Sequence, residues 1–524
     1  MRDAPGALLR ACLAGLFSLL CGPLAAQSLP DSLIAATPES RRSQPPFVRL
    51  ARDEPAAASR IGRIPVYGTP AASGAAASGF DSLSRKRRKA RAYPGARPPK
   101  AGLPSAASAP RRTPVAAAVA GTALGSPPRR RLRPDDDPFG AVGFYAGGLL
   151  TRTAVELSGG YDSNPARIAT GKGSTVSMIA GELLMASNWS RHALNVDLRG
   201  SFTHYGDRPD CDCLPGSVPD TLDRPDVTGK AAGRVDVTRD LRIESEARLR
   251  VATDNPGSPD IAAGLSRYTT YASVGGSLGL VRRFNRLELG VSGGIDRTAY
   301  EWSRFTNGAT ASNHDRDYAQ STLTGRASYE MTPGVKPFVE ASLDRRVHDL
   351  AADRSGYLRD SRGFTVKAGT TFELTRLITG EAAVGYLTRG YDDARLGDLS
   401  GLLTSASLVW SVTPLTTVKF TATSTIDETT LAGVPGVANR SYGAEISHAL
   451  RRWLVGTLKF TAGNSDYVGA GRSDRSYSAA AALTYKLSRT MHLKGEFRRD
   501  WLQSSIPGSD YTANVVMLGL RFQR

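Results

Sequence analysis

Cysteine is scarce in this chain, with four among 524 residues. Cys12 and Cys21 lie in the first apolar stretch, leaving only Cys211 and Cys213 beyond it, so a disulfide-braced scaffold is excluded. Histidine is nearly as rare: six residues scatter between His192 and His492, with no H-x-x-x-H spacing and no zinc-type pattern. Apolar residues make up 40% of the chain and aromatics 7%, a low apolar share for globular domains. No run of about 18 apolar residues follows the N-terminus, which excludes a bundle of membrane-spanning helices. What the chain does hold is 54 Gly, 31 Pro and a net charge of +18. Charge of that sign points to nucleic acid only if it is spread over the folded part.

It is not. Residues 1–140 carry 22 Lys and Arg against 9 Asp and Glu, whereas residues 141–524 carry 45 against 40. The first quarter opens with a secretory signal over residues 1–26. Arg2 and Arg10 form its positive region, Ala11 to Leu20 a short apolar core, and Ala25-Ala26 the small residues before cleavage. Residues 27–140, rich in Ala, Pro, Ser and Arg and without sustained periodicity, are expected to be a disordered periplasmic segment. Its basic knots, Arg85-Lys86-Arg87-Arg88-Lys89, Arg111-Arg112 and Arg129-Arg130-Arg131, behind a secretory signal fit an anionic periplasmic polymer or lipid head groups rather than nucleic acid. A solvated spacer with no partner is the plainer alternative.

From about residue 149 a period of two takes over. Tyr477, Ala479, Ala481, Leu483, Tyr485 and Leu487 interleave with Ser478, Ala480, Ala482, Thr484 and Lys486. Strand side chains alternate between faces, so one face is apolar and the other small or polar. Leu241 to Val251, Leu287 to Ile295, Val418 to Ile426 and Met491 to Phe497 repeat the pattern. These segments run about 10–15 residues, the length a tilted strand needs to cross a bilayer, and longer than the strands of a soluble sandwich.

Short turns fall near Trp189-Ser190, Arg239-Asp240, Phe284-Asn285, Pro333-Gly334, Arg376-Leu377, Pro414-Leu415, Arg451-Arg452 and Arg489-Thr490. Longer polar loops alternate with them, from near residues 162–173 to near 503–510. The expectation is an all-β chain from residue 141 to 524, a transmembrane antiparallel β-barrel of about 18 strands (16–20), with short turns in the periplasm and long loops outside. Propeller blades would need four short strands per interval rather than two long ones. Trp189, Trp302, Tyr318, Tyr391, Trp453, Tyr467 and Trp501 fall near expected strand ends and are candidates for the interfacial girdles.

The first hairpin carries the most specific residues. Val155-Glu156-Leu157-Ser158-Gly159-Gly160-Tyr161-Asp162-Ser163-Asn164-Pro165 is followed by Ser187-Asn188-Trp189-Ser190-Arg191-His192-Ala193-Leu194. This pairing, with the ending Val516 to Arg524, resembles the outer-membrane beta-barrel porin (type 2) family of proteobacteria. The resemblance covers roughly residues 141–524. It implies an outer-membrane barrel, in some cases linked to exopolysaccharide export, and supplies no catalytic residues. Outer-membrane barrels commonly end on an aromatic, whereas here Phe522 is third from the end.

A barrel of this size encloses an aqueous lumen unless something plugs it. Alternation assigns to that lumen Asp197, Arg199, Arg242, Glu244, Glu246, Arg248, Arg250, Lys336, Glu340, Asp344, Lys419, Lys459, Lys486, Lys494, Glu496 and Arg498. Such charges either pair along and across strands or, where cations are left over, favour anionic solutes. Cys211 and Cys213, in a Cys-Asp-Cys loop, are candidates for a local disulfide. No metal or cofactor site and no catalytic constellation is expected. The expected partners are outer-membrane lipid, lipopolysaccharide and the barrel-assembly machinery. The expected function is passive passage of small solutes or polymer through a charged lumen. The alternative is a plugged, non-conducting barrel with a structural or surface-interaction role.

Overall fold

The structure is a computed structural model, and it describes residues 139–206, 218–375, 377–427 and 429–524. The signal and basic segment expected before residue 139 and the Cys211–Cys213 pairing lie outside the described residues.

Eighteen long antiparallel strands form one sheet. They are β1 (Leu149–Asp162), β2 (Ser174–Ser187), β3 (Ala193–Tyr205), β4 (Arg224–Asp236), β5 (Leu241–Thr253) and β6 (Thr270–Phe284). Next come β7 (Leu287–Tyr300), β8 (Tyr318–Tyr329), β9 (Val335–His348), β10 (Ser361–Thr375), β11 (Ile378–Tyr391) and β12 (Leu399–Thr413). The last six are β13 (Thr416–Asp427), β14 (Val437–Arg451), β15 (Leu454–Tyr467), β16 (Arg472–Lys486), β17 (Met491–Ser504) and β18 (Tyr511–Gln523). Each pairs with its neighbours in sequence, and β1 also pairs with β18, Ala154 opposite Gln523 through Asp162 opposite Val515. That seam closes the sheet on itself. A strand of 14 residues spans about 45 Å, and a tilt near 40° reduces this to roughly 35 Å, enough to cross the hydrocarbon core.

The expected turns are where the chain reverses. Asn285 adopts φ 54° in the two-residue connection between β6 and β7, and Gly334 φ 93° between β8 and β9, the left-handed backbone that tight hairpins require. The other ends of the strands are joined by longer connections, called loops 1 to 9 in chain order. The exceptions are loop 8, reduced to residues 468–471, and loop 9, residues 505–510, because β16 and β17 extend further than the polar composition suggested.

The two faces of the sheet differ as the alternation requires. One bears large exposed apolar side chains, among them Leu278 (63% exposed), Ile295, Leu323, Leu343, Leu458, Leu483 and Leu518. On the other, side chains from strands that are not neighbours meet: Arg242 of β5 with Glu288 of β7, and Arg521 of β18 with Glu182 of β2. Side chains converge only on the concave surface of a closed sheet, so this face is the lumen and the apolar one faces lipid.

Of the aromatic candidates, Trp189, Trp302 and Trp453 are exposed and Trp501 stacks on Tyr477 of the outer face at 5.5 Å. Tyr318, Tyr391 and Tyr467 do not join a girdle. They share the inward parity of Arg326, Arg389 and Lys459. Arg346 lies over the Tyr318 ring, the Tyr391 hydroxyl donates to the Pro435 carbonyl at 2.6 Å, and Tyr467 is buried against Val434 and Val437.

The division of faces predicts an asymmetric response to substitution. Leu278→Arg places a charge near mid-membrane on the lipid face and should cost about 2–4 kcal/mol, whereas Ser277→Ala on the inner face should stay within about 0.5 kcal/mol. Reversible urea titration of barrels folded into phospholipid vesicles measures both.

Candidate functional site

Strand register places all the charged residues assigned by alternation on the inward face. Nine of the cations among them meet a carboxylate as follows. On β3, Arg199 contacts Asp197 at 2.9 Å and, one strand over, Glu182 at 3.5 Å. On β5, Arg242 bonds Glu244 and Glu288, both at 2.7 Å. Arg248 bonds Glu246 at 3.1 Å and Asp296 at 2.9 Å, and Arg250 bonds Asp226 at 2.6 Å. Lys336 lies 3.6 Å from Glu288. Glu340 receives Arg326 at 3.3 Å. Glu445 stands between Lys419 at 2.9 Å and Lys459 at 3.6 Å, on three consecutive strands. Lys494 bonds Glu156 at 3.1 Å across the β1–β18 seam and approaches Glu496 at 3.7 Å, while Arg498 bonds Asp500 at 3.1 Å.

The lining contains charges the sequence reading did not single out. Arg326 of β8 reaches Glu381 on β11 at 2.8 Å, and the Thr371 hydroxyl donates to the same carboxylate at 2.7 Å. Arg389 of β11, also not singled out, pairs with the expected inward Asp344 of β9. Their parity marked them as inward; their partners depend on register and could not be read from one strand.

Two glycines make strand-skipping pairs feasible. Gly275 lies in the same row as Arg248 and Asp296, between them, and a Cβ there would stand 1.7 Å from Asp296 Oδ1. Gly363 sits likewise between Asp344 and Arg389, where a Cβ would stand 2.3 Å from Asp344 Oδ1 and 2.9 Å from Arg389 Nη2. The absent side chain is the space through which the two charges meet.

At the long-loop end the chain folds inward. Ala166 and Ile168 of loop 1, Val218 and Leu222 of loop 2, and Ile261 and Tyr268 of loop 3 pack on inward-facing Val176, Tyr205 and Met517. Burial pushes the Tyr268 hydroxyl up to about 12. Arg167 of loop 1, buried, bonds Asp162 at 2.9 Å and Asp500 at 3.1 Å.

Loop 3 then crosses the mouth. Asp260 accepts hydrogen bonds from the Thr429 hydroxyl and the Thr430 backbone N–H, both at 2.7 Å. Those threonines belong to loop 7, between β13 and β14, almost opposite the β5–β6 connection around the ring. A chain of ion pairs links the loops on one side of this crossing: Asp254 to Arg316 at 3.0 Å, Asp315 to Arg354 at 2.7 Å, and Asp353 to Arg359 at 2.6 Å. Arg359 also donates to the Leu431 and Val434 carbonyls of loop 7, each at 3.1 Å. Burial opposes ionisation of Asp315 and Asp353, but the guanidinium and backbone donors outweigh it and hold both below their usual 3.8.

The glycine arrangement is testable. Gly275→Ala should separate Arg248 from Asp296 and destabilise the barrel by about 1–3 kcal/mol. Gly293→Ala, where nothing lies within 4 Å of the added carbon, should leave urea-unfolding midpoints unchanged or raised.

A charged inner face, an apolar outer face and inward loops can now be set beside known proteins. The family model described as "Putative beta-barrel porin 2" matches residues 137–524. No curated protein sequence matches the chain. Solved structures with similarity include OccAB3 of Acinetobacter baumannii (13% identity, 71% of this chain and 99% of that one, TM-score 0.34). A BenF-like porin of Pseudomonas fluorescens is similar at 12% identity, over 71% of this chain and 99% of its own, with TM-score 0.36. OpdK of Pseudomonas aeruginosa gives 13% identity, 71% and 99%, and 0.34. Values this low carry no argument beyond the family match, which covers the whole barrel: the chain belongs to the beta-barrel porin 2 family and is a porin-like β-barrel of the bacterial outer membrane.

Proposed function

We propose that this protein is a passive pore without catalytic activity, oriented with its long loops outside the cell and its N-terminal segment in the periplasm. The observation that carries the reading is the pairing of nine assigned cations with carboxylates inside a closed wall. A lining of that kind is polar enough to hold water, and its charges cancel locally. Among the described residues, the paired cations therefore form no uncompensated row of one sign to filter ions. Small hydrophilic solutes would diffuse through it, with weak preference for either charge. The apolar belt would contact outer-membrane lipid and lipopolysaccharide after insertion by the barrel-assembly machinery. The basic knots of the N-terminal segment would meet an anionic periplasmic polymer.

The loop crossing at Asp260 favours a second reading, a plugged barrel with a structural or surface-interaction role. Planar-bilayer recording separates the two. The pore reading expects discrete conductance steps with cation and anion permeabilities of similar size; silence at every voltage supports the plug.

The loop pairs add a pH dependence. Asp315 and Asp353 titrate below 3.8 in the folded state, so their contribution is fully present above 3.8 and is lost as pH falls through the lowered values. Conductance should hold steady from neutral pH down to about 4 and rise below it as the loops loosen. A rise already centred near neutrality would assign the gating to other groups.

A further inference from the structure

The inner wall is not equally accessible around its circumference. On β10, β11 and β12 many inward side chains are buried, among them Thr365, Glu381, Arg389, Leu399, Leu403 and Ser407, all at or below 8% exposure. Above this arc, loops 3, 4, 5 and 7 are laced together by the Asp254–Arg316, Asp315–Arg354 and Asp353–Arg359 pairs, and the space left among them is about 30 Å³. Roughly one water would fill it.

On β14–β16 the inner wall is open below a buried rim of Val437, Tyr467 and Asp474 at the loop end. Ser441 of β14, Thr461 of β15 and Ser476 of β16 share the inward parity of Glu445, Lys459 and Ser478, and all three are exposed. The Lys459 side chain is 57% exposed despite its carboxylate partner, and across the barrel Lys230 is 51% exposed. A cavity of about 460 Å³ lies under loop 3 against β1–β6, β17 and β18, beside β14–β16 rather than along them, lined by Glu156, Arg250, Lys494 and Arg498 among others. The loops above β15, β16 and β17 are also the shortest, residues 468–471 and 505–510.

We propose that loop 3 divides the mouth into a sealed side over β8–β12 and a passage that descends along β14–β16. Ser441, Thr461 and Ser476, hydroxyl groups with no charge, are then side chains that a permeating solute meets on its way down. They make the passage suited to small neutral hydrophilic solutes, with the exposed, carboxylate-paired Lys459 below them. Ser407 and Thr365 carry the same chemistry on the sealed side but face no solute. This inference rests on the pore reading.

Substituted-cysteine accessibility tests it in the full chain with Cys12, Cys21, Cys211 and Cys213 all replaced by serine, once that background is seen to conduct. Ser476→Cys and Thr365→Cys stand at equal depth, each four residues into its strand. A water-soluble cationic methanethiosulfonate should step the current down in Ser476→Cys and leave Thr365→Cys untouched. As a second readout, Ser476→Arg should shift the reversal potential in a salt gradient toward anions. Equal block at both positions, or block confined to Thr365→Cys, overturns the eccentric passage while leaving the pore intact. A conducting background in which Ser476→Cys reacts without any change of current also overturns it. A wild-type barrel that never conducts overturns the pore reading and this inference with it.

Discussion

Backbone polarity in hydrocarbon governs this molecule. An N–H or C=O left unpaired in lipid costs several kcal/mol, so a sheet that crosses a membrane must have no free edge. The β1–β18 seam supplies that condition, pairing the strand that begins at Leu149 with the one that ends at Gln523. Everything else follows from closure. Once the sheet is a ring, side chains on one face diverge into lipid and those on the other converge. Apolar residues are then needed only at alternate positions, which is why a chain with 40% apolar residues can live in a membrane.

Convergence also sets the chemistry of the inner face. Long charged side chains pointing at one another in a confined space must pair, and here the pairing extends beyond adjacent strands, in places across a glycine, as Gly275 allows for Arg248 and Asp296. The result is a wall of alternating sign rather than a ladder of one sign. The inward loops follow the same logic at the mouth. Loops 1 to 3 bury an apolar cluster on Val176, Tyr205 and Met517, and polar contacts at Asp260, Arg316 and Arg359 carry the closure across.

Much of the barrel was legible in the sequence, because period-two alternation and turn residues are local signals. The strand count and the inward face of Arg242, Glu244, Glu246, Arg248 and Arg250 came from them directly. What stayed hidden depends on which strands become neighbours. Glu288 as partner of Arg242, Glu381 as partner of Arg326, and the role of Gly363 are set by register, which no single segment reports. Tyr318, Tyr391 and Tyr467 were grouped with girdle aromatics by position along the strand, although their parity already marked them as inward. The loop contacts of Arg167 and Asp260 have no periodicity at all, and they emerge only from tertiary packing.

Closure of the ring is the claim on which the rest depends, and oxidative cross-linking in the folded, membrane-inserted barrel tests it most directly. Leu157 of β1 and Leu520 of β18 face each other across the seam on the lipid side. With Cys12, Cys21, Cys211 and Cys213 replaced by serine, Leu157→Cys with Leu520→Cys should form an intramolecular disulfide, whereas Leu157→Cys with Val516→Cys, four residues out of register, should not. Failure of the first pair, or equal bridging by both, would contradict a barrel sealed in this register.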